Sequence, residues 1–175
     1  MVQELSFIND IVSEHRERMV NLKKYYPFFR LCDSSFLQFK EGKYSALDMG
    51  YVMMAVLRFF IEENSLEERD VTYPDYEAFI TECLKRDFPV EYEEEEYQEI
   101  AQYIFDKMKN DGRPFLFEYY DPVEKKKRVS RIKLLESCVK ENQVRYNITS
   151  DAIEFYLDTK EIKDQSKISV QQLLL

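Results

Sequence analysis

Glycine, histidine and cysteine are scarce in this chain: three glycines, one histidine and three cysteines among 175 residues. Three scattered glycines cannot build a Gly-rich loop that cradles phosphates. The single histidine, His15, sits in a helical stretch among Glu14, Arg16, Glu17 and Arg18, a surface setting, and without it no Ser-His-Asp or Cys-His set can be assembled. Cys32, Cys83 and Cys138 are odd in number, far apart and flanked by Leu31, Leu84 and Val139, with no CxxC spacing. They read as reduced, largely buried thiols of a cytosolic protein. Carboxylates abound, yet runs such as EEEE lack the alternation of ligands and turn residues that a metal loop requires. No stretch approaches the ~20 apolar residues of a membrane span. The N-terminus, MVQELSFINDIVSEHRERM, is amphipathic and charged rather than a basic region followed by an apolar run. The expectation is a cytoplasmic, non-enzymatic protein with no cofactor, no metal and no membrane contact.

What is present is a core. Hydrophobic residues make up 45% and aromatics 15%, enough for a globular and mostly helical protein of one domain, or one domain with a short extension. The net charge of −9 repels polyanions at long range, so any DNA contact must be local.

Along the chain, Leu5, Ile8, Ile11, Val12, Met19 and Leu22 recur at helical spacing over 4–24. The block from Tyr25 to Ser45 is dense in aromatics and reads as a short helix or turn closed by Gly42. Ser45 with Asp48 suggests a capping start for a helix to about Glu63; Thr72 with Asp75, and Pro74 in the first turn, start another that runs to Asp87. A third begins in the acidic run Glu91–Glu96, where carboxylates suit the positive end of the helix dipole, and ends at Asn110-Asp111-Gly112 with Gly112 as the left-handed cap. The period then changes to two. Phe115, Phe117 and Tyr119, then Ile132, Leu134 and Glu136, then Val144, Tyr146 and Ile148 predict a three-stranded antiparallel meander. Thr149 or Ser150 caps a short helix carrying Ile153, Tyr156 and Leu157, and SKISVQQLLL starts another whose apolar stripe needs a partner, as expected for the N-terminal piece of a longer protein.

Three helices, a β-meander with a charged tip and a capped helix follow the order of a winged helix-turn-helix domain. The fold class is therefore α+β, mostly helical. The domain plan is an N-terminal helix and aromatic segment (1–44), a winged-helix domain (45–160) and the start of a further helix (161–175). In such a fold the third helix would enter a major groove, but its start, EYEEEEYQE, carries five carboxylates in 91–96 that oppose a polyanion despite Gln98 and Gln102. The wing carries the opposite charge. Lys125, Lys126, Lys127, Arg128, Arg131 and Lys133 either protect a sheet edge and keep the chain soluble or touch phosphate without reading sequence. Tyr25, Tyr26, Phe28, Phe29, Phe36 and Phe39 either pack within the domain or form an interface.

The block YYPFFRLCDSSFLQFKEGKYSALDMGYVMMAVLRFFIEE, the segment QVRYNITSDAIEFYLDTKEI and the helix start SKISVQQLLL resemble the N-terminal region of bacterial MukF-like kleisin subunits, most of all the Wadjet A-subunit (JetA) family of condensin-like plasmid-defence systems. That resemblance implies a winged-helix domain that dimerises or docks neighbours, here through the aromatic block. It also implies partnership with an SMC-type ATPase and a small accessory subunit, and association with the nucleoid. Other subunits would hydrolyse ATP and cut DNA. On that resemblance the chain is expected to be a non-catalytic scaffold subunit that forms a homodimer; the alternative is a winged-helix transcription regulator.

Overall fold

The computed structural model describes residues 6–33 and 35–160. Its elements are α1 (Ile8–Leu22), α2 (Tyr26–Cys32), α3 (Ser35–Gln38), α4 (Met49–Phe60), α5 (Tyr73–Asp87), α6 (Glu94–Lys109), β1 (Phe115–Asp121), β2 (Lys126–Ile132), β3 (Leu135–Lys140), β4 (Gln143–Ile148) and α7 over 150–160. The architecture is mostly helical α+β with small antiparallel two-stranded sheets. The helix start expected in SKISVQQLLL lies outside the described residues.

Short polar signals set the helix boundaries. α4 starts at Asp48 rather than Ser45, because the Asp48 carboxylate accepts from the Tyr51 backbone N–H at 2.7 Å. A π-helical turn, Ile61–Leu66, carries the chain out of it. Thr72 and Asp75 form the full capping box expected of α5. Glu93 and Glu96 form another at the start of α6. The left-handed cap of α6 is Asn110, at φ 53, two residues before Gly112. Thr149 caps α7 by accepting from the Ala152 N–H at 3.2 Å, and it donates to the Lys133 carbonyl at 2.6 Å.

α4, α5 and α6 enclose the core. Val52, Met53, Val56, Leu57 and Phe60 of α4 meet Tyr76, Ile80 and Leu84 of α5 and Ile100, Ile104, Phe105 and Met108 of α6, all buried. Phe115, Ile132, Leu134, Leu135, Ala152 and Phe155 extend this core beneath the strands and α7. The buried stripe of α7 is therefore Ala152 and Phe155, while Leu157 stays exposed.

The three-stranded meander is corrected to two separate hairpins, β1 with β2 and β3 with β4. The run Lys126–Ile132, read as a charged tip, is itself a strand in register with β1, from Phe115 opposite Ile132 to Asp121 opposite Lys126. Pairing there depends on backbone bonds and on the aromatics of β1, not on apolar alternation in β2. Leu134 and Leu135 are buried in succession, which breaks the period of two where the chain passes from one hairpin to the other. Val71, between α4 and α5, adds an antiparallel bridge to Tyr146 of β4, with backbone bonds of 3.3 and 2.7 Å.

Candidate functional site

The register of the β1–β2 hairpin divides the basic run Lys125–Lys133. Lys126 and Arg128 share one face of the hairpin with Phe117 and Tyr119, whereas Lys127 and Arg131 share the other with Leu116, Glu118 and Tyr120. Lys125 sits in the turn at φ 56, and Lys133 follows the strand. Arg128 points its guanidinium at its own chain: Nε lies 2.5 Å from Asp121 Oδ2, and a second nitrogen contacts Glu124. Lys126 pairs with Glu124 at 3.2 Å. Asp121, 4% exposed, also accepts from the Val123 and Glu124 N–H groups at 2.9 and 3.3 Å. The Arg128 hydrogen bond holds its carboxyl below the usual aspartate value, and Lys126 does the same for Glu124. Two of the six cations thus pair within the turn, Arg128 with buried Asp121 and Lys126 with exposed Glu124. Lys125, Lys127, Arg131 and Lys133 remain without a carboxylate partner among the described residues.

The aromatic block is used mainly inside the fold. Tyr25 packs edge-on against Phe155 at 5.6 Å and donates to Asp158 at 3.1 Å; Phe28 meets Phe155 at 5.6 Å; Tyr26 meets Phe117 of β1 at 5.6 Å. Phe36 is buried against Tyr103 of α6, and Phe39 stacks on that ring at 3.7 Å. Five of the six expected interface aromatics therefore join 25–39 to α6, α7 and β1. Phe29 alone of the six is broadly exposed, at 65%.

The acidic start of α6 is partly neutralised from within. Glu94 pairs with Lys85 at 2.7 Å, Glu96 with Lys43 at 2.7 Å, and Glu99 with Lys40 at 3.2 Å. The thiols differ from expectation: Cys83 is buried, Cys138 is half-buried and Cys32 is exposed, because α2 turns Leu31 rather than Cys32 into the core.

Two surfaces escaped the sequence reading. α1 runs against β1 but buries none of its residues; His15 and Met19 are half-covered, and Ile8, Ile11, Val12 and Leu22 stay exposed. Its stripe was legible, its lack of cover was not. Arg30, Lys107 and Arg113 meet Arg131 around one groove; they come from separate elements, and no local motif marks them. No helix among the described residues is long and apolar enough to cross a membrane, and no group of three or more His, Cys, Asp or Glu side chains among them could hold a metal ion. No protein-family model, no curated protein and no solved structure matches this chain, so its functional reading rests on these residues and their geometry.

Proposed function

We propose that this chain is a non-catalytic docking module with a winged-helix core, which self-associates and serves as the scaffold of a DNA-handling assembly of the kleisin and SMC-ATPase kind. The observation that carries the self-association is α1. A helix of 15 residues is marginal alone, yet Ile8, Ile11, Val12 and Leu22 are each more than a third exposed. An antiparallel copy centred on His15 sets Ile8 beside Leu22, Ile11 beside Met19 and Glu14 beside Arg16. That pattern is self-complementary, as a two-fold contact must be.

The winged-helix reading is supported by the order α4, Val71, α5, α6 and hairpins. Val71, between the first two core helices, bridges to β4, which pairs with β3 on its other edge, and so supplies a third strand position, although only one residue wide. Exposed Glu93, Glu94 and Glu95 at the start of α6 weigh against the regulator alternative, since they would face the bases.

Light scattering tests the reading. The native chain should have twice its monomer mass of 21.2 kDa, and Ile8→Glu with Ile11→Glu should give a folded monomer. A native chain that stays monomeric at its highest soluble concentration removes the dimer. Sequence-specific duplex binding at about 10 nM or tighter at physiological salt would favour the regulator instead.

A further inference from the structure

Basic side chains of this acidic chain commonly meet a carboxylate, as Lys24 does at Asp158, Lys43 at Glu96 and Arg69 at Glu63. Arg30, Lys107, Arg113 and Arg131 do not among the described residues, and all four are exposed. They line one groove of about 740 Å³ between α2, α3, the last turn of α6 and the β1–β2 hairpin, and among the described residues Asp33 is the one carboxylate lining it. Four cations held together without partners cost electrostatic repulsion in the free protein. The C-terminal end of α6 offsets part of it near Lys107. A bound polyanion would remove the rest.

The walls indicate which polyanion. Leu31 and Phe115 line the groove but are only 5% and 4% exposed, so they offer little apolar surface. Tyr103 has one ring face stacked on Phe39 at 3.7 Å and Lys107 Nζ 5.5 Å from its centroid. Tyr26 is tilted against Phe117. A protein segment would look for an apolar anchor here and find little beyond Leu116, and a base would find no open stacking platform. Regularly spaced anions on a flexible strand need neither. Three of the four cations are arginines, whose planar forks match phosphate oxygens.

We propose that this groove binds the phosphodiester backbone of a nucleic-acid strand without reading its bases. The site is distinct from the wing tip, shares only Arg131 with the basic run, and does not require self-association.

The test is fluorescence anisotropy of the full chain with an oligothymidine of about 20 nucleotides and with a mixed-sequence duplex of about the same length, longer than the ~4–16 nucleotides a single binding fold covers. With four phosphates neutralised, the slope of log K against log[salt] should be about −2.8 for the single strand and about −3.6 for the duplex; single-strand affinity should fall roughly 50-fold from about 50 to 200 mM salt. Arg30→Glu with Arg113→Glu should weaken binding at least ~10-fold and reduce the slope by about 1.4 or more, while Lys125→Glu with Lys127→Glu should change affinity less than ~3-fold. Circular dichroism checks the fold. If the glutamate variant misfolds, Arg30→Gln with Arg113→Gln gives the reading, with the same slope change expected. The inference is overturned by absence of binding to either probe at low salt, by native-like binding of the folded groove variant, or by polyglutamate displacing the oligonucleotide as well as unlabelled oligothymidine does. That last result would assign the groove to an acidic protein segment.

Discussion

Arg128 Nε donates to Asp121 Oδ2 across 2.5 Å, joining the last residue of β1 to the third of β2. The same carboxylate takes two backbone N–H bonds from the turn, so one buried group closes the hairpin. Its pKa is lowered from an ordinary 3.8, first by Arg128. A depressed folded pKa means the charged form is favoured by folding, so this contribution is present above 3.8 and is lost as pH falls through the lower, folded value. Asp121→Asn should therefore lower the melting temperature at neutral pH, and the gap from the native chain should narrow as the pH is taken down to about 2. Thermal scans across pH check this; a gap that persists in acid would mean that the charge is not what the turn depends on.

Lysine and arginine at the tip are not equivalent. Lys125 and Lys127 are exposed, and Lys126 makes only an exposed pair with Glu124, so Lys125→Glu, Lys126→Glu and Lys127→Glu together should shift stability by no more than about 1 kcal/mol. Arg128→Glu should be clearly worse, because it sets a carboxylate against buried Asp121 and Glu124. Amide exchange at Val123 and Glu124 separates the two: it should accelerate in the arginine variant and stay slow in the triple-lysine variant.

In the core, the Tyr76 hydroxyl donates to the Ala101 carbonyl at 2.8 Å, fixing α5 to α6, while its fully buried ring lies 4.6 Å from Phe105. Tyr76→Phe keeps the ring and loses the bond, so it should cost about 0.5–1.5 kcal/mol. Tyr76→Ala empties the site and should cost about 3–5 kcal/mol by analogy with other large aromatic truncations. Urea titration with an unchanged m-value verifies both.

The helical half of the fold was legible because its signals are local. Thr72, Pro74 and Asp75 start α5 within four residues, and the acidic run starts α6 by the dipole. The sheet half was less so. Lys125 adopts a left-handed φ that no glycine marks, and β2 is a strand by virtue of the partner opposite it. The cations from Lys125 to Lys133 adjoin in sequence, but the structural part played by Arg128 depends on Asp121 being buried beside it, which no local signal marks. The aromatic surplus was visible, whereas its use against Tyr103 and Phe155 depends on distant pairs. The groove shows the same limit: Arg30 and Arg113 are 83 residues apart.

The thiols allow a check of packing that needs no mutation. Cys83 is buried, its Sγ lies 3.5 Å from Asp87 Oδ2, and burial above all pushes its pKa up to about 11. At neutral pH it is both covered and almost wholly protonated, and the thiolate is the reactive species. Cys32 is exposed, though partial burial and then Asp48 raise its pKa; Cys138 is half-buried. With an aromatic disulfide reagent at neutral pH, Cys32 and Cys138 should react in the folded chain and Cys83 only when α5 is released from the core. Its labelling rate should rise with urea alongside global unfolding, because reaction then tracks the open population. Labelling followed by peptide mass analysis identifies each thiol. Prompt labelling of Cys83 without urea would show that the α4–α5 contact opens independently of the rest of the core.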